Sequence, residues 1–133
     1  MILSSGLSDI LIKDIMTRVL ITVNPSTTIY QVSKLMEQGG IGAIIVNDDE
    51  THKGIITDRD FAIKIAVNRY PLDTRVQKVA SYPLQTINSD ESVLVAANMM
   101  SAKKIRKLVV VENNKVVGII TSTDIVNQLA KMK

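Results

Sequence analysis

The heptapeptide Gly54-Ile55-Ile56-Thr57-Asp58-Arg59-Asp60 returns near the C-terminus as Gly118-Ile119-Ile120-Thr121-Ser122-Thr123-Asp124, and this echo constrains the fold more than any other feature of the chain. The two glycines lie 118 − 54 = 64 positions apart, and that one offset aligns the halves without a gap. Leu20 meets Leu84, Thr22 meets Thr86, Asn24 meets Asn88, Met36 meets Met100, Ile41 meets Ile105, Val46 meets Val110 and Ala66 meets Ala130. Where the letters differ the chemistry is kept: Ser26 becomes Asp90, Ile29 becomes Val93, Ile44 becomes Leu108 and Asp49 becomes Asn113. A duplication of this kind requires each half to build the same unit. Roughly 60 residues bury too little surface to be stable alone, so the copies are expected to depend on one another.

Within the first copy, Leu20 to Val23 reads as a short strand ended by Asn24-Pro25, since proline cannot donate to a ladder. Ser26 offers an N-cap to a helix over Thr27 to Gln38, with Ile29, Val32, Leu35 and Met36 on one face, and Gly39-Gly40 stops it. Ile41 to Val46 is a nearly unbroken apolar run, as expected of a strand covered on both sides. Turn residues Asn47-Asp48-Asp49-Glu50 return the chain as an antiparallel strand over Lys53 to Ile56. The helix that follows, Asp58 to Asn68, is apolar almost all round at Phe61, Ala62, Ile63, Ile65, Ala66 and Val67, which predicts cover on more than one side. Ser8 to Met16 reads as an entry strand or helical turn, and Tyr70 to Thr74 as a short linker. The expected fold class is α/β (α+β): duplicated β-α-β-β-α units packed sheet to sheet with pseudo-twofold symmetry. The expected division is 1–69, a linker at 70–75, and 76–133, and leftover helix faces predict a homodimer.

Each heptapeptide carries a strand into a helix. Thr is a good N-cap, and backbone N–H groups at a helix start favour an anion. The Asp three residues on lies about one turn further, so its carboxylate can face the same space and accept two hydrogen bonds from a sugar diol. The same residues also read as a plain cap with a carboxylate complementing the helix dipole.

Composition narrows the function classes. The net charge of +3 and pI near 9.2 favour anionic partners, whether a phosphorylated metabolite or nucleic acid. With 3% aromatic residues and no Trp, base stacking is a poor candidate mode of recognition. The absence of Cys removes disulfides, thiolate metal sites and thiol nucleophiles. No run is long enough to span a membrane and no signal-like start precedes Leu11, so a cytoplasmic protein is expected. His52, the only histidine, falls in a predicted turn, and no nucleophile triad, metal cluster or Walker loop is legible, so no enzyme activity and no catalytic cofactor is expected.

A duplicated β-α-β-β-α unit closing in Gly-hydrophobic-x-Thr-x-x-Asp resembles a tandem pair of cystathionine-beta-synthase (CBS) domains. The likeness runs from about Ile12 to Ala130 and includes Asp14-Ile15-Met16, Ile41-Gly42-Ala43-Ile44-Ile45-Val46 and Ile105-Arg106-Lys107-Leu108-Val109-Val110. The resemblance implies a regulatory module that senses adenine nucleotides (AMP, ADP or ATP) or adenosyl compounds such as S-adenosylmethionine in clefts between the repeats. It implies Thr57 and Thr121 on phosphate and Asp60 and Asp124 on ribose. It places Thr22-Val23, Thr86-Ile87, Ile41-Gly42-Ala43 and Ile105-Arg106-Lys107 around base or phosphates, with Ile15-Met16 and Val79-Ala80 approaching the base. Arg59 supplies a forked cation. The run Lys103, Lys104, Arg106, Lys107 reads either as a solvated patch or as a phosphate partner, with strand alternation sending Arg106 and Lys107 to opposite faces. Departures are Ile45 and Val109, where many members have proline, and Ser122-Thr123 in place of Asp58-Arg59, which predicts unequal sites. Nucleic-acid binding through the basic run and Lys115, Lys131 and Lys133, or a purely structural adaptor docking a regulated partner, are the alternatives.

Overall fold

In the computed structural model, residues 3–18, 20–49 and 53–132 are described, with side chains from Gly6 onward. His52, Glu50 and Lys133 lie outside the described residues. The elements are α1 (Leu3–Asp9), α2 (Ile12–Ile15), β1 (Thr22–Val23), α3 (Ile29–Gly39), β2 (Ala43–Asn47), β3 (Lys53–Thr57), α4 (Asp58–Asp60), β4 (Thr86–Asn88), α5 (Val93–Lys103), β5 (Lys107–Glu112), β6 (Lys115–Thr121) and α6 (Ser122–Lys131). A 3-10 turn at Val76–Lys78 precedes β4, and α4 runs on as a π-helix over Phe61–Ala66.

Two three-stranded sheets, ordered β1-β2-β3 and β4-β5-β6, repeat one design. In each, a parallel pair is joined through a helix and an antiparallel hairpin follows. The registers match across the offset: Ile44 opposes Ile56 as Leu108 opposes Ile120, and Val46 opposes Gly54 as Val110 opposes Gly118. Ile44, Ile45 and Val46 are all buried, as are Leu108, Val109 and Val110, which explains the unbroken apolar runs. The second hairpin turns at Asn113 and Asn114, both with positive φ, as a type I′ turn requires.

The helix caps lie two residues later than the sequence suggests. Thr28, whose oxygen accepts from Gln31 N–H at 3.1 Å, caps α3, and Ser92 caps α5. Ser26 instead gives its hydroxyl to Asn24 Oδ1 at 2.6 Å, while Asp90 N–H donates to Asn88 Oδ1 at 2.9 Å. Asn at that position folds the backbone into an Asx turn first, and the helix can start only after it. The helix after Thr57 also departs from expectation, because within the chain only Ile65 of its apolar set is buried, while Ile63 is 49% and Val67 73% exposed.

The chain forms two compact units, Ile21–Leu84 on the one hand and Met1–Leu20 with Gln85–Lys133 on the other. Each unit therefore takes its entry segment from ahead of the other sequence repeat. In the split unit, Val93 N–H donates to Ile10 O at 2.8 Å, Ile12 N–H to Glu91 O at 2.9 Å, and Thr17 and Ile119 exchange two bonds of 2.9 Å each. In the continuous unit the partners shifted by the repeat do the same: Ile29 N–H to Thr74 O, Val76 N–H to Thr27 O, and Ser81 with Ile55. The stretch read as a linker thus supplies acceptors for the first amides of α3, which have no partner inside the helix. Ile12 and Val76, both fully buried, anchor the two segments in their cores.

This exchange explains the glycine of the heptapeptide. A Cβ on Gly118 would stand 2.6 Å from Thr17 O, and one on Gly54 2.8 Å from Ser81 O and 2.7 Å from the Tyr82 ring. The crossing segment lies directly on the strand, and only glycine leaves room for it. Burial chiefly, with the charge of Asp48, pushes the Tyr82 phenol above its usual range.

Candidate functional site

The two strand-to-helix junctions share a backbone plan. Thr57 N–H donates to Asp60 Oδ2 and Thr121 N–H to Asp124 Oδ2, each at 2.8 Å. The next amide is also committed: Asp58 N–H to Gly42 O at 3.0 Å, and Ser122 N–H to Arg106 O at 2.8 Å. The helix starts are therefore not open clusters of free donors as the sequence suggests. Much of their donor capacity tethers the strand before the hairpin, which fixes Ile41-Gly42-Ala43 and Ile105-Arg106-Lys107 beside the caps.

The side chains then diverge. Thr57 spends its hydroxyl hydrogen on Asp60 Oδ2 at 3.2 Å, whereas Thr121 Oγ accepts from Asp124 N–H at 3.2 Å and keeps its hydrogen for another partner. Asp60 is buried and its second oxygen lies 3.3 Å from Lys64 Nζ. Asp124 is half-buried and meets no lysine within ion-pair distance among the described residues. It lines an open hollow of about 290 Å³ with Asp14, Ile15, Asn127, Gln128 and Lys131.

Across the hairpin, Thr57 pairs with Ala43 and Thr121 with Lys107. Directly opposed residues share one face of the sheet, so a lysine stands across from Thr121 where the first copy has an alanine. Arg106 precedes the strand and is exposed, as is Arg59. The basic residue nearest each junction in the chain's layout therefore lies on a strand in one copy, Lys107, and at the helix start in the other, Arg59.

Of the remaining expected residues, Ile15 is brought to Asp124 by α2, and Met16 packs against Gly118. Val79 buries its side chain and offers only its carbonyl, which accepts from Lys64 Nζ at 3.2 Å, with Ala80 half-buried beside the same core. Thr22 and Val23 line a different hollow, of about 490 Å³, with α3 residues such as Tyr30, Gln31 and Lys34, and neither Thr57 nor Asp60 reaches it. Thr86 is exposed and Ile87 buried on β4. Sequence reasoning missed Lys64, Asn127 and Gln128, and named Asp14 and Lys131 without placing them beside Asp124. Lys64 was discoverable, since it follows Asp60 at the i,i+4 spacing of helix neighbours and its counterpart at the repeat offset is glutamine.

Together these features define a duplicated α/β protein with two homologous, chemically unequal Thr-x-x-Asp junctions. The chain belongs to the CBS domain family, whose model matches it twice, over residues 12–67 and 76–131. It carries the domain as a tandem pair. It is 37% identical, over 90% of its own length and 86% of the relative's, to the CBS domain-containing protein YhcV of Bacillus subtilis. Other relatives are longer: the chain spans 60% of MK0525 of Methanopyrus kandleri, at 34% identity. Among solved structures, a candidate signal-transduction protein with CBS domains from Burkholderia ambifaria superposes with a TM-score of 0.79 at 28% identity, covering 87% of each chain. The CBS domain pair of MJ0100, in complex with 5′-methylthioadenosine and S-adenosyl-L-methionine, gives 0.81 at 30% identity, covering 92% of this chain and 98% of that one. Among the described residues no helix is long and apolar enough to cross a membrane.

Proposed function

We propose that the chain binds an adenosyl ligand, either an adenine nucleotide (AMP, ADP or ATP) or a compound of the S-adenosylmethionine type, and reports its level without transforming it. The observation that carries this reading is the junction at Thr121. A half-buried carboxylate suited to a ribose diol stands one turn from a hydroxyl with an uncommitted hydrogen, and Lys107 is the hydroxyl's cross-strand neighbour. Aliphatic residues such as Ile15 suit a flat, weakly polar base, which needs no aromatic platform. The MJ0100 pair, complexed with two adenosyl compounds, supports the class of ligand. In the same reading the exposed Ile63, Val67, Val126 and Leu129 are covered by a second copy in a homodimer that is cytoplasmic.

A thermal-shift screen of AMP, ADP, ATP, NAD, 5′-methylthioadenosine and S-adenosylmethionine tests it. A binder at a hundredfold excess over its Kd stabilises by about 2.7 kcal/mol. For a chain of this size that is a rise in melting temperature of roughly 10 °C. No response to any of the six compounds would refute the reading.

A further inference from the structure

We propose that Lys64 is a built-in counter-ion that closes the ribose-binding carboxylate of the first repeat, so that the chain takes its adenosyl ligand at Asp124 alone. This rests on the adenosyl reading above and specifies which copy of the motif serves it.

At Asp60 both carboxylate oxygens are engaged by the protein itself. Oδ2 accepts from the Thr57 amide at 2.8 Å and the Thr57 hydroxyl at 3.2 Å, and Oδ1 faces Lys64 Nζ at 3.3 Å. The ammonium also donates to Val79 O at 3.2 Å and to Ser81 Oγ at 3.0 Å. The two hydrogen bonds hold the ammonium in place while its charge pairs with Asp60 Oδ1. A diol approaching Asp60 must therefore displace a cation held on three sides from a carboxylate that is only 8% exposed. Two neutral hydroxyls offer weaker hydrogen bonds to a carboxylate than the charged group they would replace.

The second repeat keeps acceptors of the same kind, a backbone carbonyl and a hydroxyl, but lacks the ammonium. Residue 128 is glutamine, and the counterparts of Val79 and Ser81 at the repeat offset are Ile15 and Thr17. Asp124 Oδ2 accepts only the Thr121 amide, and Oδ1 has no hydrogen bond or ion pair to any described residue. The carboxylate borders the hollow that Ile15 and Gln128 also line. Lysine at 64, where the second helix has glutamine at 128, supplies the ammonium that only the first carboxylate meets.

Titration calorimetry with AMP and with 5′-methylthioadenosine reads the proposal out as stoichiometry. The wild-type chain is expected to bind one equivalent of the active probe, and Asp124→Asn to weaken it at least tenfold. Lys64→Gln, which installs the second repeat's residue, is expected to raise the stoichiometry to two, and Lys64→Gln with Asp60→Asn to return it to one. Two equivalents in wild type, binding that survives Asp124→Asn, or one equivalent in Lys64→Gln would each overturn the assignment of Lys64 while leaving the adenosyl reading standing. If neither probe binds wild type at all, that reading falls and this proposal with it. Circular dichroism of each variant checks folding, and should Lys64→Gln not fold, the wild-type stoichiometry and its loss in Asp124→Asn decide the matter.

Discussion

Replacing Gly118 by alanine isolates the contact that joins the entry segment to the second sheet. Gly118 does not have a left-handed φ, so alanine fits the backbone and only space opposes it. Its Cβ would sit 2.6 Å from Thr17 O, against 3.4 Å for an ordinary contact, so Thr17 must withdraw by 3.4 − 2.6 = 0.8 Å. Such a shift stretches the paired 2.9 Å bonds between Thr17 and Ile119 beyond useful length. Two backbone bonds at about 1 kcal/mol each give a loss of about 2 kcal/mol. The reduced freedom of the unfolded chain returns about 0.4–1 kcal/mol. The net cost is therefore about 1–1.5 kcal/mol, or a fall in melting temperature of roughly 4–6 °C. Urea unfolding at unchanged slope measures it, and faster hydrogen exchange at the Thr17 and Ile119 amides localises it. Gly39 is the control, because a Cβ there meets nothing closer than 3.5 Å and alanine favours its helix. If Gly118→Ala and Gly39→Ala were equally stable, the entry segment would not lie on β6 as described.

Two further outcomes follow from the repeat. Gly40 and Lys104 end α3 and α5 at equivalent positions with φ of 62° and 56°. A left-handed lysine carries about 1–2 kcal/mol of strain, less the roughly 0.5–1 kcal/mol of chain entropy that glycine forfeits. Lys104→Gly is thus expected to stabilise by about 0.5–1 kcal/mol and Gly40→Ala to destabilise by a similar amount, both read by urea midpoint. Fragments give the second test. Residues 21–84 keep the buried Val76 and Val79 that residues 1–69 lack, each worth about 1.5–3 kcal/mol of burial. Only the former is expected to show a cooperative thermal transition by circular dichroism; equal behaviour of the two fragments would sink the exchange of entry segments.

The duplicated β-α-β-β-α unit and the antiparallel hairpin before the motif were legible because one ungapped offset carries the whole pattern. The caps were misplaced because Ser26 and Asp90 are good cap residues in isolation, and the competing Asx turn at Asn24 and Asn88 is visible only as geometry. The exchange of entry segments was not legible, since hydrogen bonds such as Thr17 to Ile119 join residues far apart in sequence and leave no local periodicity. The glycines at 54 and 118 did carry that information, but a glycine before a helix has several uses and the sequence does not say which. The Thr-x-x-Asp spacing was legible in both copies, and the surroundings of the two carboxylates were not. Lys64 meets Asp60 in the fold, and only its i,i+4 spacing hinted at that in the sequence.

The Asp124 hollow is tied closely to the core of its own unit. Ile15, which lines the hollow, ends α2, whose Ile12 is fully buried in the second core. Met16 packs on Gly118, and Thr17 is bonded at both its N–H and its C=O to Ile119, two residues before Thr121. A ligand ordered between Ile15 and Asp124 would therefore bear on both ends of one hydrogen-bonded crossing. If Lys64 closes Asp60 as proposed, this crossing in the second unit is the one place where a bound ligand would act.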